Sequence, residues 1–238
     1  MKTSFKNILP EYPSIRHLPW KPNSKGDKIA TEEEASVIFS GNFVSIAEKL
    51  DGANCGMSYL DGYPVVRSRT KILRKGQFLK NPSQKQFANS WNWMYDNREK
   101  FTKLDEIGPY SVYGEWSVQC HGMIYDKLPD WFVAYDLFDY EKRHFIDSMK
   151  ADSILRECGF DVIPISFYGQ SLSIKPLTYE FLEEITNCPT WFANDSQREG
   201  IVVKISNGEW ITDRFKMVRQ GFEQGCLLGK TLKRNKLA

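Results

Sequence analysis

Apolar residues in this chain fall into short runs punctuated by polar turn residues. Those runs predict strands at Asn42–Glu48, Asn54–Leu60 and Pro64–Ser68, the last two joined by an Asp61-Gly62 pair suited to a hairpin turn. Aromatic and β-branched runs at Ser111–Ser117 and Trp131–Phe138, bounded by Gly-Pro and Leu-Pro-Asp, have the pattern of buried strands. A further hairpin is expected between Ile201–Ile205 and Trp210–Phe215 across Asn207-Gly208. Helical spacing of Phe87, Trp91, Met94 and Tyr95 predicts a helix from about Ser83 to Phe101, with Trp91 and Trp93 as core residues. Helices are also expected over Asp147–Cys158, ended by Gly159, and over Thr178–Thr186. Residues 1–30, with Pro10, Pro13, Pro19 and Pro22, favour extended backbone and read as a wrapping arm. Strands mixed with helices, without regular alternation, point to an α+β fold of largely antiparallel sheets in a single domain spanning 1–238.

Composition narrows the class without naming a function. The chain has 238 residues, 41% of them hydrophobic and 14% aromatic, enough for a substantial core. Its net charge of +2 implies no nucleic-acid partner by itself, so any such partner needs local basic patches. Two exist: Arg67, Arg69, Lys71, Arg74, Lys75 and Lys80, and a C-terminal set of Arg214, Lys216, Arg219, Lys230, Lys233, Arg234 and Lys236, the last four within a basic tail over 226–238. Either could equally be a solvated face. Five scattered cysteines with no Cys-x-x-Cys argue against zinc or a disulfide framework. The sequence shows no signal pattern and no apolar run approaching ~18 residues, so a cytoplasmic protein with no membrane partner is expected.

Chemistry enters with Glu48-Lys49-Leu50-Asp51-Gly52-Ala53-Asn54, which puts a lysine just after an apolar run. An ordinary lysine, with a pKa of about 10.4, is protonated at neutral pH, so a nucleophilic role demands a site that lowers that value. Alone, Lys-x-Asp-Gly is an ordinary turn sequence. It is followed in order by polar islands at predicted strand edges: Arg69, Tyr113-Gly114-Glu115, Tyr135-Asp136, Glu199 to Lys204, and Arg214-Phe215-Lys216. Each island taken singly also reads as an exposed strand end or a core aromatic.

The ordered set resembles the motifs of the covalent nucleotidyltransferase superfamily, and is closest to ATP-dependent RNA ligases of the RNA ligase 2 type. EKLDGAN (48–54), RSRT (67–70), VYGEWSV (112–118), WFVAYDLFD (131–139), REGIVVK (198–204) and DRFKMVRQGF (213–222) are the segments that carry the resemblance, over about Tyr12 to Gly225. The resemblance implies that Lys49 attacks the α-phosphate of ATP and holds AMP. AMP then passes to a 5′-phosphate, which a 3′-hydroxyl attacks. It also implies that Lys216 and Arg214 assist, lowering the pKa of Lys49 by like-charge repulsion. Glu199 would hold Mg²⁺ or Mn²⁺. Glu48, Leu50, Asn54, Arg69, Glu115, Tyr135 and Lys204 would bind the nucleotide, Glu115 at the ribose and Tyr135 stacked on adenine, with Arg69 at a phosphate and Arg67 as its substitute. Asn54 stands where RNA ligases use an asparagine in strand joining. Tyr135 departs from a commoner phenylalanine, and Arg214 from a commoner lysine, whose duty Arg219 could share.

The expected partner is RNA, as a nicked duplex or as ends, with an RNA–DNA hybrid as a further possibility, and the expected state is a monomer. Only about twenty residues follow Lys216, too few for the oligonucleotide-binding barrel that many relatives carry, so a nucleotidyltransferase fold without that barrel is expected. The basic tail could follow phosphate backbone or fray. A DNA ligase, a GTP-dependent capping-type enzyme and a non-catalytic nucleic-acid-binding protein are the alternatives left open.

Overall fold

A computed structural model describes residues 5–20, 28–75, 82–171, 178–223 and 233–238. Pro22, Lys80 and Lys230, named above, lie outside the described residues. In chain order the elements are α1 (Phe5–Ile8), β1 (Arg16–His17), α2 (Glu32–Ala35), β2 (Phe43–Glu48), β3 (Ala53–Leu60), β4 (Tyr63–Ser68), β5 (Ile72–Leu73), α3 (Ser90–Asp96), α4 (Arg98–Ile107), β6 (Tyr110–Trp116), β7 (Phe132–Asp139), β8 (His144–Phe145), α5 (Ser148–Glu157), β9 (Ile165–Gln170), α6 (Tyr179–Thr186), β10 (Gly200–Ser206) and β11 (Ile211–Val218). The strands form two open sheets, ordered β1-β11-β10-β2-β9 and β5-β4-β3-β6-β7-β8. Every pairing is antiparallel except β1 with β11. This is the α+β, largely antiparallel fold expected from the sequence.

Alternation along the strands sorts side chains between two environments. In the five-stranded sheet Val44, Ile46, Ile201, Val203, Ile205, Phe215 and Met217 join a core with Ala35 and Leu182. In the six-stranded sheet Cys55, Met57, Val112, Trp116, Phe132 and Leu137 pack with Trp91, Trp93, Met94, Phe101, Leu104 and Leu155. Helices thus cover one face of each sheet. The residues out of phase with these cores, among them Asn54, Glu115, Tyr135, Lys204 and Lys216, line a shared cavity.

Local chemistry accounts for two helix starts. Asp147 caps α5 by accepting from the backbone N–H groups of Met149 and Lys150, and Thr178 caps α6 by accepting from Phe181. The helix expected over Ser83–Phe101 is instead a 3-10 segment (Pro82–Phe87), then α3, then α4. Asn97 makes the second break: its Nδ2 donates to Trp93 O at 2.9 Å, a local bond that competes with helix continuation. Strand β9 escaped the sequence reading because it is a half-buried edge without clean alternation.

The arm is stapled to the six-stranded sheet through four successive carbonyls. Arg143 Nη1 donates to Asn7 O, Ser111 Oγ to Ile8 O at 2.5 Å, Arg67 Nη1 to Leu9 O at 2.5 Å, and Tyr113 OH to Pro10 O at 2.5 Å. At the other end of the chain, residues 233–238 are docked rather than frayed. Asn235 is 3% exposed; its Oδ1 accepts from Tyr125 N at 2.8 Å and its Nδ2 donates to Ser117 O at 2.8 Å. No helix among the described residues is long and apolar enough to cross a membrane.

Candidate active site

Strands from both sheets, with the arm at one side, enclose a cavity of about 460 Å³. Lys49, Glu48, Leu50, Asn54, Arg69, Glu115, Tyr135, Lys204 and Lys216 all line it. Arg214 and Glu199 do not.

Lys49 leaves the end of β2, and its backbone N–H donates to Gly200 O at 2.9 Å, which sets it beside the start of β10. Its Nζ donates to Glu199 Oε1 at 2.6 Å. Glu199 is 1% exposed, and its second oxygen, Oε2, is buried with no hydrogen-bond partner. Burial pulls the Lys49 ammonium down, but the Glu199 charge and hydrogen bond, with Glu115 and Asp51, outweigh it and hold the pKa above the usual lysine value. The expectation of a lysine depressed by neighbouring cations is therefore corrected: carboxylates dominate its surroundings. Burial raises Glu199 to about 7 against the opposing pull of Lys49, with Asp51 adding to the rise. Burial likewise raises Glu115 to about 8, opposed by Lys49 and reinforced by Glu199 and Asp51.

Asp51 and Gly52 build this corner rather than a turn. Asp51 Oδ2 accepts from the backbone N–H groups of Gly122, at 2.5 Å, and Met123, at 2.9 Å, and its own N–H donates to Tyr125 OH at 2.9 Å. A Cβ on residue 52 would lie 2.9 Å from Glu115 Cγ and 3.0 Å from Trp116 O, so glycine permits the approach of the Lys49 corner to β6. Asn54 and Glu115 are register partners across β3 and β6. Asn54 Nδ2 donates to Tyr135 OH at 2.5 Å, while its Oδ1 is buried and unpartnered.

Other named residues have different placements. The Glu48 carboxylate turns away from the cavity, accepting from Thr190 Oγ1 and from Trp191 N at 3.0 Å, so only its backbone is left for a ligand. Leu50 is buried with Tyr125 and Phe192. Arg69 sits exposed at the rim, donating to Ser14 Oγ at 3.1 Å. Arg67, its substitute in the sequence reading, is 2% exposed and spent on Leu9 O. Arg219 caps the end of β11, its Nε donating to Arg198 O at 3.2 Å.

The last motif divides. Lys216 faces the cavity, but Arg214 Nη2 donates to Asp136 Oδ2 at 3.3 Å, and its guanidinium lies 4.4 Å from the Phe145 ring centroid and 5.2 Å from that of Tyr12. Asp136, fully buried, also accepts from Lys204 Nζ at 2.6 Å and from Tyr12 OH at 2.5 Å. Burial alone would raise Asp136, but Lys204 and Arg214 prevail and keep it below the ordinary carboxylate value. Lys204 also donates to Tyr135 O at 2.9 Å, and burial lowers its pKa despite Asp136. Tyr12 lines the cavity and carries no local motif, so sequence reasoning missed it. Asp136 was visible only as the neighbour of Tyr135.

Among the described residues, no group of three or more His, Cys, Asp or Glu side chains could hold a metal ion. The orphaned Glu199 Oε2 nonetheless suits a Mg²⁺ or Mn²⁺ ion bound by one carboxylate together with ligand phosphates, the usual manner for Mg²⁺.

A model of the RNA ligase family matches residues 42–218. No curated protein matches the chain. Solved structures with the same fold include Naegleria gruberi RNA ligase with PPi, at 19% identity and a TM-score of 0.61, covering 88% of this chain and 61% of that one. A mutant of that ligase with ATP and Mn aligns at 18% identity and TM-score 0.59, covering 87% and 59%. Another mutant, with AMP and Mn, aligns at 16% and 0.59, covering 89% and 61%. The chain thus spans about three-fifths of the length of these ligases.

Proposed function

The chain belongs to the RNA ligase family, and on that footing we propose that it seals RNA 5′-phosphate and 3′-hydroxyl ends with ATP through a lysyl-AMP intermediate. The observation that carries this reading is the pair Lys49 and Glu199, joined at 2.6 Å beside a cavity, with a carboxylate oxygen left unpartnered. Lys49 Nζ, once deprotonated, forms a bond to the α-phosphorus while the bond to the bridging oxygen breaks and pyrophosphate leaves. A 5′-phosphate oxygen of RNA then displaces Lys49 from AMP, and a 3′-hydroxyl displaces AMP in turn.

Glu199 holds the Lys49 pKa above its usual value and so favours the protonated amine. A divalent cation on Glu199 and the phosphates would neutralise the charge that raises the lysine pKa and stabilise charge on the transferring group. Lys216 is the cavity-lining cation suited to phosphate, Lys204 lines the cavity with its Nζ on Asp136 and Tyr135 O, and Arg69 at the rim is suited to the RNA 5′-phosphate. Glu115 and Asn54, side by side, are placed for ribose and substrate hydroxyls, and Tyr135 for the adenine face. In this reading the chain works as a monomer in the cytoplasm, on RNA nicks or ends and on RNA–DNA hybrids.

The test is to incubate the chain with Mg²⁺, a 5′-phosphorylated nicked RNA duplex, and ATP or GTP in parallel. Sealed RNA, with AMP-capped RNA as its precursor, is expected with ATP alone and should vanish in Lys49→Ala. GTP use, or no transfer by a folded protein, would overturn the proposal.

A further inference from the structure

Two features stand apart from the chemistry assigned above: the second cation of the last motif turns away from the cavity, and an aromatic residue from the N-terminal arm takes part in forming it. Tyr12, Pro13 and Ile15 line the cavity, although they precede every motif. They are carried there by a segment whose carbonyls at Asn7, Ile8, Leu9 and Pro10 are held in succession by side chains of β4, β6 and the β7–β8 turn. These bonds satisfy carbonyls that have no strand partner there and fix the backbone of the arm.

We propose that this arm is a wall of the nucleotide cavity and that Arg214 is a positioning residue that clamps it, rather than a phosphate ligand. The inference rests on the functional reading above for the identity of the nucleotide. The Arg214 guanidinium lies against the rings of both Phe145 and Tyr12, which themselves meet edge-on at 5.5 Å, so one cation holds the pair together. It shares Asp136 Oδ2 with the Tyr12 hydroxyl, while Lys204 takes Oδ1. Asp136 thereby ties three elements together: the arm through Tyr12, β10 through Lys204 and β11 through Arg214. The Tyr12 ring meets Tyr135 edge-on, at 5.5 Å between centroids and 68° between planes, so the arm also sets the tilt of the ring placed for the base. A lysine in place of Arg214 would keep the charge but lose the broad guanidinium that reaches Asp136 and both rings at once. The same logic explains why Arg67 is buried: it holds Leu9 O and so belongs to the strap.

The experiment compares the full chain carrying Tyr12→Ala, Arg214→Lys, and both, by ATP concentration dependence of protein labelling and by hydrogen exchange of the arm amides. Each single variant is expected to raise the ATP concentration for half-maximal labelling roughly tenfold, with a smaller loss in maximal rate, and the double variant should be little worse than the poorer single. Amides of residues 5–18 should exchange faster in all three, while those of β3 and β6 stay protected. Additive effects, or an Arg214→Lys loss confined to the maximal rate with the arm still protected, would overturn the clamp and return Arg214 to the phosphate. If the wild-type chain takes no label at all, the functional reading fails, and the exchange comparison alone decides whether Arg214 holds the arm.

Discussion

Lys49, the nucleophile of the proposed reaction, is held in its protonated form by its neighbours. Three carboxylates act on it, and the one at 2.6 Å, Glu199, does most to keep it protonated. Removing that charge leaves burial, which lowers a lysine pKa, as the stronger influence. In Glu199→Gln the alkaline-rising limb of the labelling rate should therefore move to lower pH, by about one unit or more, whatever happens to the plateau. A pH profile with an unmoved or upward-shifted limb would contradict the assignment. That Lys49, Glu115, Tyr135 and Glu199 come together could be anticipated from the sequence because each falls in a short segment of an ordered set. Their charge state could not, because it depends on burial and on Asp51, whose side chain a sequence shows only as half of an Asp-Gly pair. Tyr12 was invisible for a related reason: its partner Asp136 lies 124 positions away.

Among elements, the β10–β11 hairpin does most to place the site, since it carries Glu199 at one end and Lys204, Arg214 and Lys216 along one face. Its first residue tolerates no side chain. A Cβ at Gly200 would sit 2.1 Å from Met217 O, so the strands would have to part beside Glu199. Gly200→Ala should cost about 3 kcal/mol of stability, read as a lower denaturant midpoint, together with loss of labelling. An alanine variant as stable as the parent would refute this crowding. Hairpins were readable from Asp61-Gly62 and Asn207-Gly208 because turn chemistry is local; the former turn has positive φ at both residues. The three-part stretch Pro82–Ile107 was not, because one apolar periodicity runs across two breaks, the second of them made by Asn97.

At the scale of the molecule, the cavity exists because two sheets keep their helix-covered faces outward and their polar-bearing faces toward one another. Both ends of the described chain are tied into that arrangement, the arm through Tyr12 and the C-terminal segment through Asn235. Asn235 holds the Tyr125 backbone, and Tyr125 OH in turn holds the Asp51 backbone two residues from Lys49. Asn235→Ala strands buried groups at Ser117 O and Tyr125 N and should lower stability by about 2–3 kcal/mol, with a matching fall in melting temperature. An unchanged melting temperature would show the segment to be merely resting there. Sequence alone gave the composition of these two segments as extended and basic; their docking depends on contacts more than a hundred residues apart, which no local pattern encodes. The most direct measurement is mass spectrometry of peptides from the chain after incubation with ATP and Mg²⁺. The expected result is one AMP adduct, on Lys49, reversed by added pyrophosphate. An adduct on another residue, or none on a folded and initially AMP-free protein, would contradict the lysyl-AMP mechanism.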